Sequence, residues 1–188
     1  MLIGVSAKKQ SGKDEFFKII NKLNNNKFEN KKFAGKLKQI CSIITGIPIE
    51  YFYDHIHYSS FLPVWNMTIR EIQQKIGTEI FRNNLSENTW INALFCDFKK
   101  NSNWIITDLR FPNELKTIKD NGGMVIRIER NIIDNDNHAS EVSLDEYTDW
   151  DYVIKNNGTL QDYENEIYIF KKININYQQI INILWLQY

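Results

Sequence analysis

Near its start the chain reads Ala7-Lys8-Lys9-Gln10-Ser11-Gly12-Lys13-Asp14, between a short apolar run and a segment of helical spacing. A glycine and a lysine at the mouth of a helix suit an oxygen-rich anion. Gly12 lets backbone N–H groups approach the anion, the helix N-terminus adds partial positive charge, and Lys13 adds a full one. The stretch departs from the Gly-x-x-x-x-Gly-Lys-Ser/Thr phosphate-loop pattern at two positions. Ala7 stands at the first glycine and Asp14 at the magnesium-binding hydroxyl. Alanine tolerates most conformations outside positive φ, so Asp14 is the larger departure. A carboxylate there can bind Mg2+ directly or through water, or accept a hydrogen bond from a substrate. The spacing leaves these open, and a solvated lysine-rich turn is the alternative for the whole stretch.

Further candidates follow along the chain. Asp108 closes the apolar run Trp104-Ile105-Ile106 and Arg110 follows it, where ligands of open parallel sheets bind. Asp108 could hold a metal ion and Arg110 a phosphate, or the two form a surface pair. Arg70, Gln74 and Thr78 are four apart and share a helical face, with Glu79 and Arg82 beyond. Gly77 inside that helix costs about 1 kcal/mol relative to alanine, which suggests a bend or a close backbone approach. Arg127 and Arg130 end a strand before the polar stretch Ile132-Ile133-Asp134-Asn135-Asp136-Asn137, a lid with arginine donors or an ordinary basic strand end. Asn156-Asn157-Gly158-Thr159 reads as a turn with an amide edge suited to an adenine ring. Five scattered tryptophans name no nucleobase platform and most read as core, although Trp65 and Trp90 flank the Arg70 helix and Trp90 is a candidate to line a pocket there. His138 and the pair His55 and His57 lack the carboxylate or cysteine pattern of a zinc site.

These residues need elements to hold them. Leu2 to Ser6 reads as a buried strand and Asp14 to about Leu23 as a helix. A short strand is expected at Lys32 to Ala34. Leu37, Ile40, Cys41 and Ile44 give a helix from Gly35 to Ile44 the spacing of a buried face. Residues 46–67, with Pro48 and Pro63, read as irregular. Thr68, with Glu71 three residues on, has the capping-box spacing and opens a helix to about Asn83. A second helix is expected over Glu87 to Lys99. Trp104 to Asp108 reads as a buried parallel strand. Pro112 starts a helix that Gly122-Gly123 ends. Met124 to Ile128 and Tyr152 to Ile154 are strands, and one or two helices close the chain from Leu160. Strands alternating with helices predict an α/β fold, a parallel sheet flanked by helices, in a single domain over residues 1–188. An insertion at about 46–90 and a polar loop or lid at about 130–150 interrupt this pattern.

At 188 residues and 22.4 kDa the chain is long enough for a sizeable core. Lys plus Arg equals Asp plus Glu, 23 each, which argues against a binder of nucleic acid polymers. Cys41 and Cys96 are too few for a zinc or disulfide framework and read as reduced and packed. No apolar run approaches the roughly 20 residues of a membrane span, and the opening MLIGVSA is too short for a signal peptide. The expected setting is a reducing cytoplasm without membrane attachment.

The order SGKD, TIREIQQKIGTEIFR, WIITDLRFPNE, GGMVIRIER, HASE, DYVIKNNGTL resembles the deoxynucleoside monophosphate kinases of phages and other viruses, over about residues 2–165. The resemblance implies a P-loop kinase fold and transfer of the γ-phosphoryl of ATP to a deoxynucleoside 5′-monophosphate, with Mg2+. It implies that Ser11, Gly12, Lys13 and Asp14 hold the ATP phosphates, with Asn156, Gly158 and Thr159 beside adenine. Arg70 would take the acceptor phosphate, with Gln74, Thr78, Glu79 and Trp90 lining its pocket. Asp14 and Asp108 would face the metal, with Arg110 on a phosphate and Arg130 as the lid arginine. Host cytoplasm and a homodimer are also implied. Ile69 and Gln73 replace the Pro and Leu often found in the arginine-helix motif. Phosphomevalonate kinase, which shares SGKD-like features, is the alternative within the fold, and a non-catalytic nucleotide-binding protein the alternative outside catalysis.

Overall fold

The computed structural model describes residues 1–54, 56–131, 138 and 142–175. In chain order these form β1 (Leu2–Ser6), α1 (Lys13–Leu23), β2 (Glu29–Lys31), α2 (Gly35–Thr45), β3 (Phe61–Leu62) and β4 (Met67–Thr68). Then come α3 (Ile69–Gln74), α4 (Thr89–Phe95), β5 (Trp104–Ile106), α5 (Pro112–Asp120), β6 (Met124–Glu129), β7 (Tyr152–Lys155) and α6 (Leu160–Phe170). They sort into two compact units, Lys31–Lys99 and the remainder of the chain.

The unit holding both the start of the chain and the part from Lys100 on is built on a sheet in the order β2-β5-β1-β6-β7. β1 runs parallel to β5 and β6, and β6 parallel to β7. Parallel neighbours require long crossovers, which helices such as α5 supply. Strands buried on both faces are written in near-continuous apolar residues. All five residues of β1 and all three of β5 are buried. Ile3, Val5, Ile105, Ile126, Ile128 and Ile154 pack with Phe16, Ile20, Ile167 and Phe170 from α1 and α6. The parallel strands share one carboxyl edge. From it emerge the Ala7–Gly12 loop after β1, Asp108 after β5, Arg130 after β6 and Asn156 after β7.

The other unit holds α2, α3, α4 and the β3–β4 hairpin, with 3-10 turns at Ile49–Phe52 and His57–Ser59 where irregular chain is expected. The capping box forms. Thr68 Oγ1 accepts from the Glu71 N–H at 3.2 Å, and Glu71 Oε2 accepts from the Thr68 N–H at 2.7 Å. The helix then widens at Lys75 into a π turn that runs to Arg82. Gly77 lies in that turn, buried. A Cβ there would come 2.7 Å from Leu37 Cδ2, and its carbonyl accepts the Trp90 indole N–H at 2.9 Å. The glycine is explained by this close packing.

Other expectations shift. The short strand forms at Glu29–Lys31, ahead of Lys32 to Ala34, and α4 is shorter than Glu87 to Lys99. On α2 the buried residues are Leu37, Lys38 and Cys41, while Ile43 and Ile44 are 81% and 49% exposed. Burial pushes the Cys41 thiol up to about 12, whereas Cys96 is exposed and not packed as expected. His55, much of the expected lid (132–137 and 139–141) and the chain beyond Ile175 lie outside the described residues.

Replacing Gly77 with alanine sets two effects against each other. The gain in helix propensity is about 1 kcal/mol. Overpacking against Leu37 costs about 1–3 kcal/mol. We expect a net loss of about 1 kcal/mol, read as a lower urea midpoint; a higher midpoint would show that Leu37 yields freely.

Candidate active site

The loop after β1 turns through two residues in the left-handed region, Gln10 at φ 61° and Gly12 at φ 96°. Ala7 is not one of them, so the first glycine of the pattern has no conformational duty here. Gly12 does. A Cβ on it would also lie 2.7 Å from Asn156 Nδ2 and 3.1 Å from Tyr163 Cε1.

The loop's carbonyls are held from several directions. Lys13 Nζ donates to Ala7 O at 2.7 Å and to Lys8 O at 2.9 Å, spanning the loop. Arg130 Nη1 donates to Gln10 O at 3.1 Å, Asn156 Nδ2 to Ser11 O at 3.0 Å, and Tyr163 Oη to Gly12 O at 3.1 Å. A trans peptide plane carries its C=O and N–H on opposite sides. Gly12 O also accepts the first helical bond, from the Phe16 N–H at 2.8 Å, and the Ser11 N–H makes a long bond to Lys8 O at 3.4 Å. Drawing the Ser11 and Gly12 carbonyls away therefore turns the N–H groups of Gly12 and Lys13 the other way, the arrangement of an anion nest. The first turn of α1 follows at once, and no side chain caps it. Its positive end is offered to an anion. Ser11 is buried, and its Oγ has no hydrogen-bond partner among the described residues. A buried hydroxyl left so costs about 1–3 kcal/mol, a deficit that a ligand oxygen would remove.

Tyr163 is a dependable donor. Burial, then the nearby Glu15 charge, raises its phenol above the ordinary tyrosine range, with Arg130 opposing. Asn156 is likewise buried, and its amide donors face the loop. Gly158 and Thr159 lead into α6, where the Thr159 side chain and Asp162 cap each other.

At the neighbouring strand end, Asp108 and Arg110 are partly buried. The turn that presents them is fixed by Glu114, itself 2% exposed, whose Oε2 accepts from the N–H groups of Arg110 and Phe111 at 2.9 and 3.1 Å. Asp14 sits in the first turn of α1, where a carboxylate favours the helix dipole. The structure thus gathers Ser11 to Asp14, Asp108, Arg110, Arg130 and Asn156 on one sheet edge.

In the Lys31–Lys99 unit, Arg70 and Gln74 lie on α3 and are partly buried. Thr78 and Glu79 fall in the π turn, so the four-residue spacing that aligns Arg70 with Gln74 no longer aligns Thr78. Glu79 forms an exposed pair with Lys75 at 3.6 Å. Trp90 is 4% exposed, packs on Phe81 at 5.2 Å and spends its N–H on Gly77 O, so it is an interior anchor and not a presented ring.

Two residues escaped the sequence reading. Tyr163 falls on α6, within the closing helix expected from Leu160. Lys38 is 8% exposed, with its Nζ 4.1 Å from the Tyr53 ring centre and 3.4 Å from Tyr58 Oη. A lysine beside Leu37 on the buried side of a helix that leaves isoleucines outside is the signal that was available.

A family model described as deoxynucleotide monophosphate kinase matches residues 51–167. The chain belongs to that family. A protein of Acanthamoeba polyphaga mimivirus named for the same kinase is 30% identical over 184 residues, 89% of this chain and 94% of its own. The deoxynucleotide monophosphate kinase of Enterobacteria phage T4 is 30% identical over 106 residues, 53% of this chain and 44% of the phage protein. Among solved structures, shikimate kinase from Aquifex aeolicus superposes with a TM-score of 0.53 at 14% identity, covering 93% of this chain and 98% of that one. The shikimate kinase of Bacteroides thetaiotaomicron gives 0.51 at 13%, covering 92% and 97%. At such identities these two show the P-loop kinase fold alone. The family match begins after the loop, so the loop is read from its own geometry.

Tyr163→Phe removes one neutral hydrogen bond, worth about 0.5–1.5 kcal/mol. ATP should bind about two- to tenfold more weakly by titration calorimetry; unchanged binding would remove the tyrosine from the shaping of the loop. A raised phenol pKa contributes stability that is fully present below the unfolded value of about 10 and is lost as pH rises through the folded value. The stability difference between the native chain and Tyr163→Phe should therefore be flat through neutrality and shrink only above about pH 10.

Proposed function

We propose that this deoxynucleotide monophosphate kinase transfers the γ-phosphoryl of ATP to a deoxynucleoside 5′-monophosphate, giving the diphosphate. The observation that carries the reading is the loop whose outer carbonyls are drawn away by Arg130, Asn156 and Tyr163. It lies in a chain whose family is that of deoxynucleotide monophosphate kinases.

Phosphoryl transfer asks mainly for positioning and neutralisation of charge. The N–H groups of Ser11 to Asp14 would cradle the ATP phosphates. Lys13 would exchange its two carbonyl partners for phosphate oxygens. Arg110 and Arg130 would meet the charge that spreads over the transferring group. Asn156, by bracing Ser11, would act on the nucleotide through the loop, with Gly158 and Thr159 beside the base. In the other unit Arg70 would take the acceptor phosphate, and Gln74, Thr78 and Glu79 would line the acceptor pocket.

The donor set fits Mg2+, a hard cation usually held by one or two carboxylates together with substrate phosphates. Asp14 on the first turn of α1 and Asp108 on the same sheet edge would supply them, with the unpartnered Ser11 Oγ close by in the loop. When bound, the ion would neutralise charge on the ATP phosphate oxygens. Among the described residues no helix is long and apolar enough to cross a membrane, in keeping with a cytoplasmic enzyme acting on small nucleotides. A homodimer is part of the proposal, to be read by light scattering.

A coupled ADP-release assay over dGMP, dTMP, dCMP, dAMP and phosphomevalonate tests the reading. Turnover of one or more of the deoxynucleotides is expected, and turnover of phosphomevalonate alone would sink it. In the same assay Arg70→Ala should raise the acceptor KM by about 30-fold or more, as expected for losing a charge-assisted bond of about 2–3 kcal/mol. The ATP KM should change little; equal effects on both would refute the role given to Arg70.

A further inference from the structure

Beyond the residues assigned so far, one carboxylate touches the loop from outside it. Asp145 accepts from Lys8 Nζ with Oδ2 at 2.6 Å, and its Oδ1 lies 3.5 Å from Arg127 Nη2. Arg127 reaches on to Ser6 Oγ at 2.9 Å, and its guanidinium lies 5.7 Å from the Trp150 ring centre. Ser6 is the last residue of β1 and Lys8 the second residue of the loop. One carboxylate therefore braces the strand end, through Arg127, and the loop itself, through Lys8.

Its own position is well fixed. Leu144 beside it is buried, the Asp145 N–H donates to Val142 O, and the Tyr147 N–H donates to Leu144 O. Trp150 donates its indole N–H to Tyr147 O at 2.8 Å. Nearby, the Asp151 N–H donates to Val125 O, and Asp151 Oδ2 accepts from the Val125 N–H, tying this segment to β6.

Charge makes the arrangement informative. A carboxylate next to a phosphate-binding loop repels the ligand that the loop receives. Lys8 and Arg127 together outweigh it, leaving the trio with one net positive charge, but a loop without Asp145 would be more attractive to ATP on electrostatic grounds alone. We propose that Asp145 is a positioning residue for the ATP site, holding the Lys8 end of the loop in its nucleotide-receiving shape. Its side chain is 34% exposed and that of Lys8 is 26% exposed, so the effect is modest, because solvent screens such pairs.

The proposal rests on the reading of the loop as an ATP site, and the test separates the two. With the full-length chain, ATP and the best deoxynucleotide acceptor, Asp145→Ala should raise the ATP KM about three- to fivefold. The acceptor KM should stay within about twofold. Asp145→Glu should recover part of the loss, because it keeps the charge. In the double variant Lys8→Ala/Asp145→Ala the loss should not exceed that of the larger single variant, since the carboxylate acts through the lysine. A lower ATP KM in Asp145→Ala would make the residue a mere repelling charge and overturn the inference. So would an unchanged KM or additive single effects. If Asp145→Ala does not fold, Asp145→Asn, which keeps the shape, carries the same comparison, and failure of both to fold would assign the residue to folding and overturn the inference. A native chain that releases no ADP with any deoxynucleotide would end the functional reading instead.

Discussion

A peptide chain can turn several N–H groups toward one anion only if the carbonyls on the same peptide planes have donors elsewhere. This constraint organises the edge of the sheet from which the loop emerges. A turn of Gln10, Ser11 and Gly12 would otherwise satisfy its carbonyls with water or with its own amides, and the amides would lose their common direction. Arg130 from the end of β6, Asn156 from the end of β7 and Tyr163 from α6 remove that freedom, each from a different element. Parallel strands deliver those elements to one edge because each strand's carboxyl end faces the same way. The apolar core of isoleucines and phenylalanines contributes to binding indirectly, by fixing where the donors stand.

This also accounts for the departures from the phosphate-loop pattern. Sequence patterns of this kind place glycine where backbone freedom or close approach is required. Here the requirement falls on Gly12, which has both a left-handed φ and two side chains against the space a Cβ would take. It does not fall on Ala7, and Gln10 supplies the other left-handed residue without being a glycine. Asp14 lies in the first helical turn, where negative charge is favoured even without a ligand. Its presence is therefore compatible with a working loop, and its particular duty depends on what the loop holds.

Much of the fold was readable from the chain because the sheet is buried on both faces. β1, β5, β6 and β7 lie where apolar runs end in polar residues. The exposed three-residue strand β2 has no such run, and its place was misjudged by three residues. The α3 cap was legible from Thr68 and Glu71 alone, since a capping box is local. The π turn that follows was not. It brings Gly77 against Leu37 and the Trp90 indole, partners 40 and 13 residues away in sequence, and no hydrophobic period encodes them. The same applies to the site. Lys13, Asp108 and Arg130 could be named from their motifs, whereas the bonds from Asn156 and Tyr163 to the loop span 145 and 151 residues.

Where periodicity gave only part of the answer, it did so at a place with its own physical interest. The apolar spacing on α2 pointed Leu37, Ile40, Cys41 and Ile44 inward, and transfer free energy alone would agree. Leu37 and Cys41 are buried as that spacing says, but the helix also buries Lys38 and leaves Ile44 49% exposed. Burying an ammonium is unfavourable unless its surroundings compensate, and the rings of Tyr53 and Tyr58 do so in part through their electron-rich faces. Local rules fail most often where function has a claim on the residue. In this unit Lys38 on α2 is buried and Arg70 on α3 is partly buried, whereas Lys36, two residues before Lys38, is exposed.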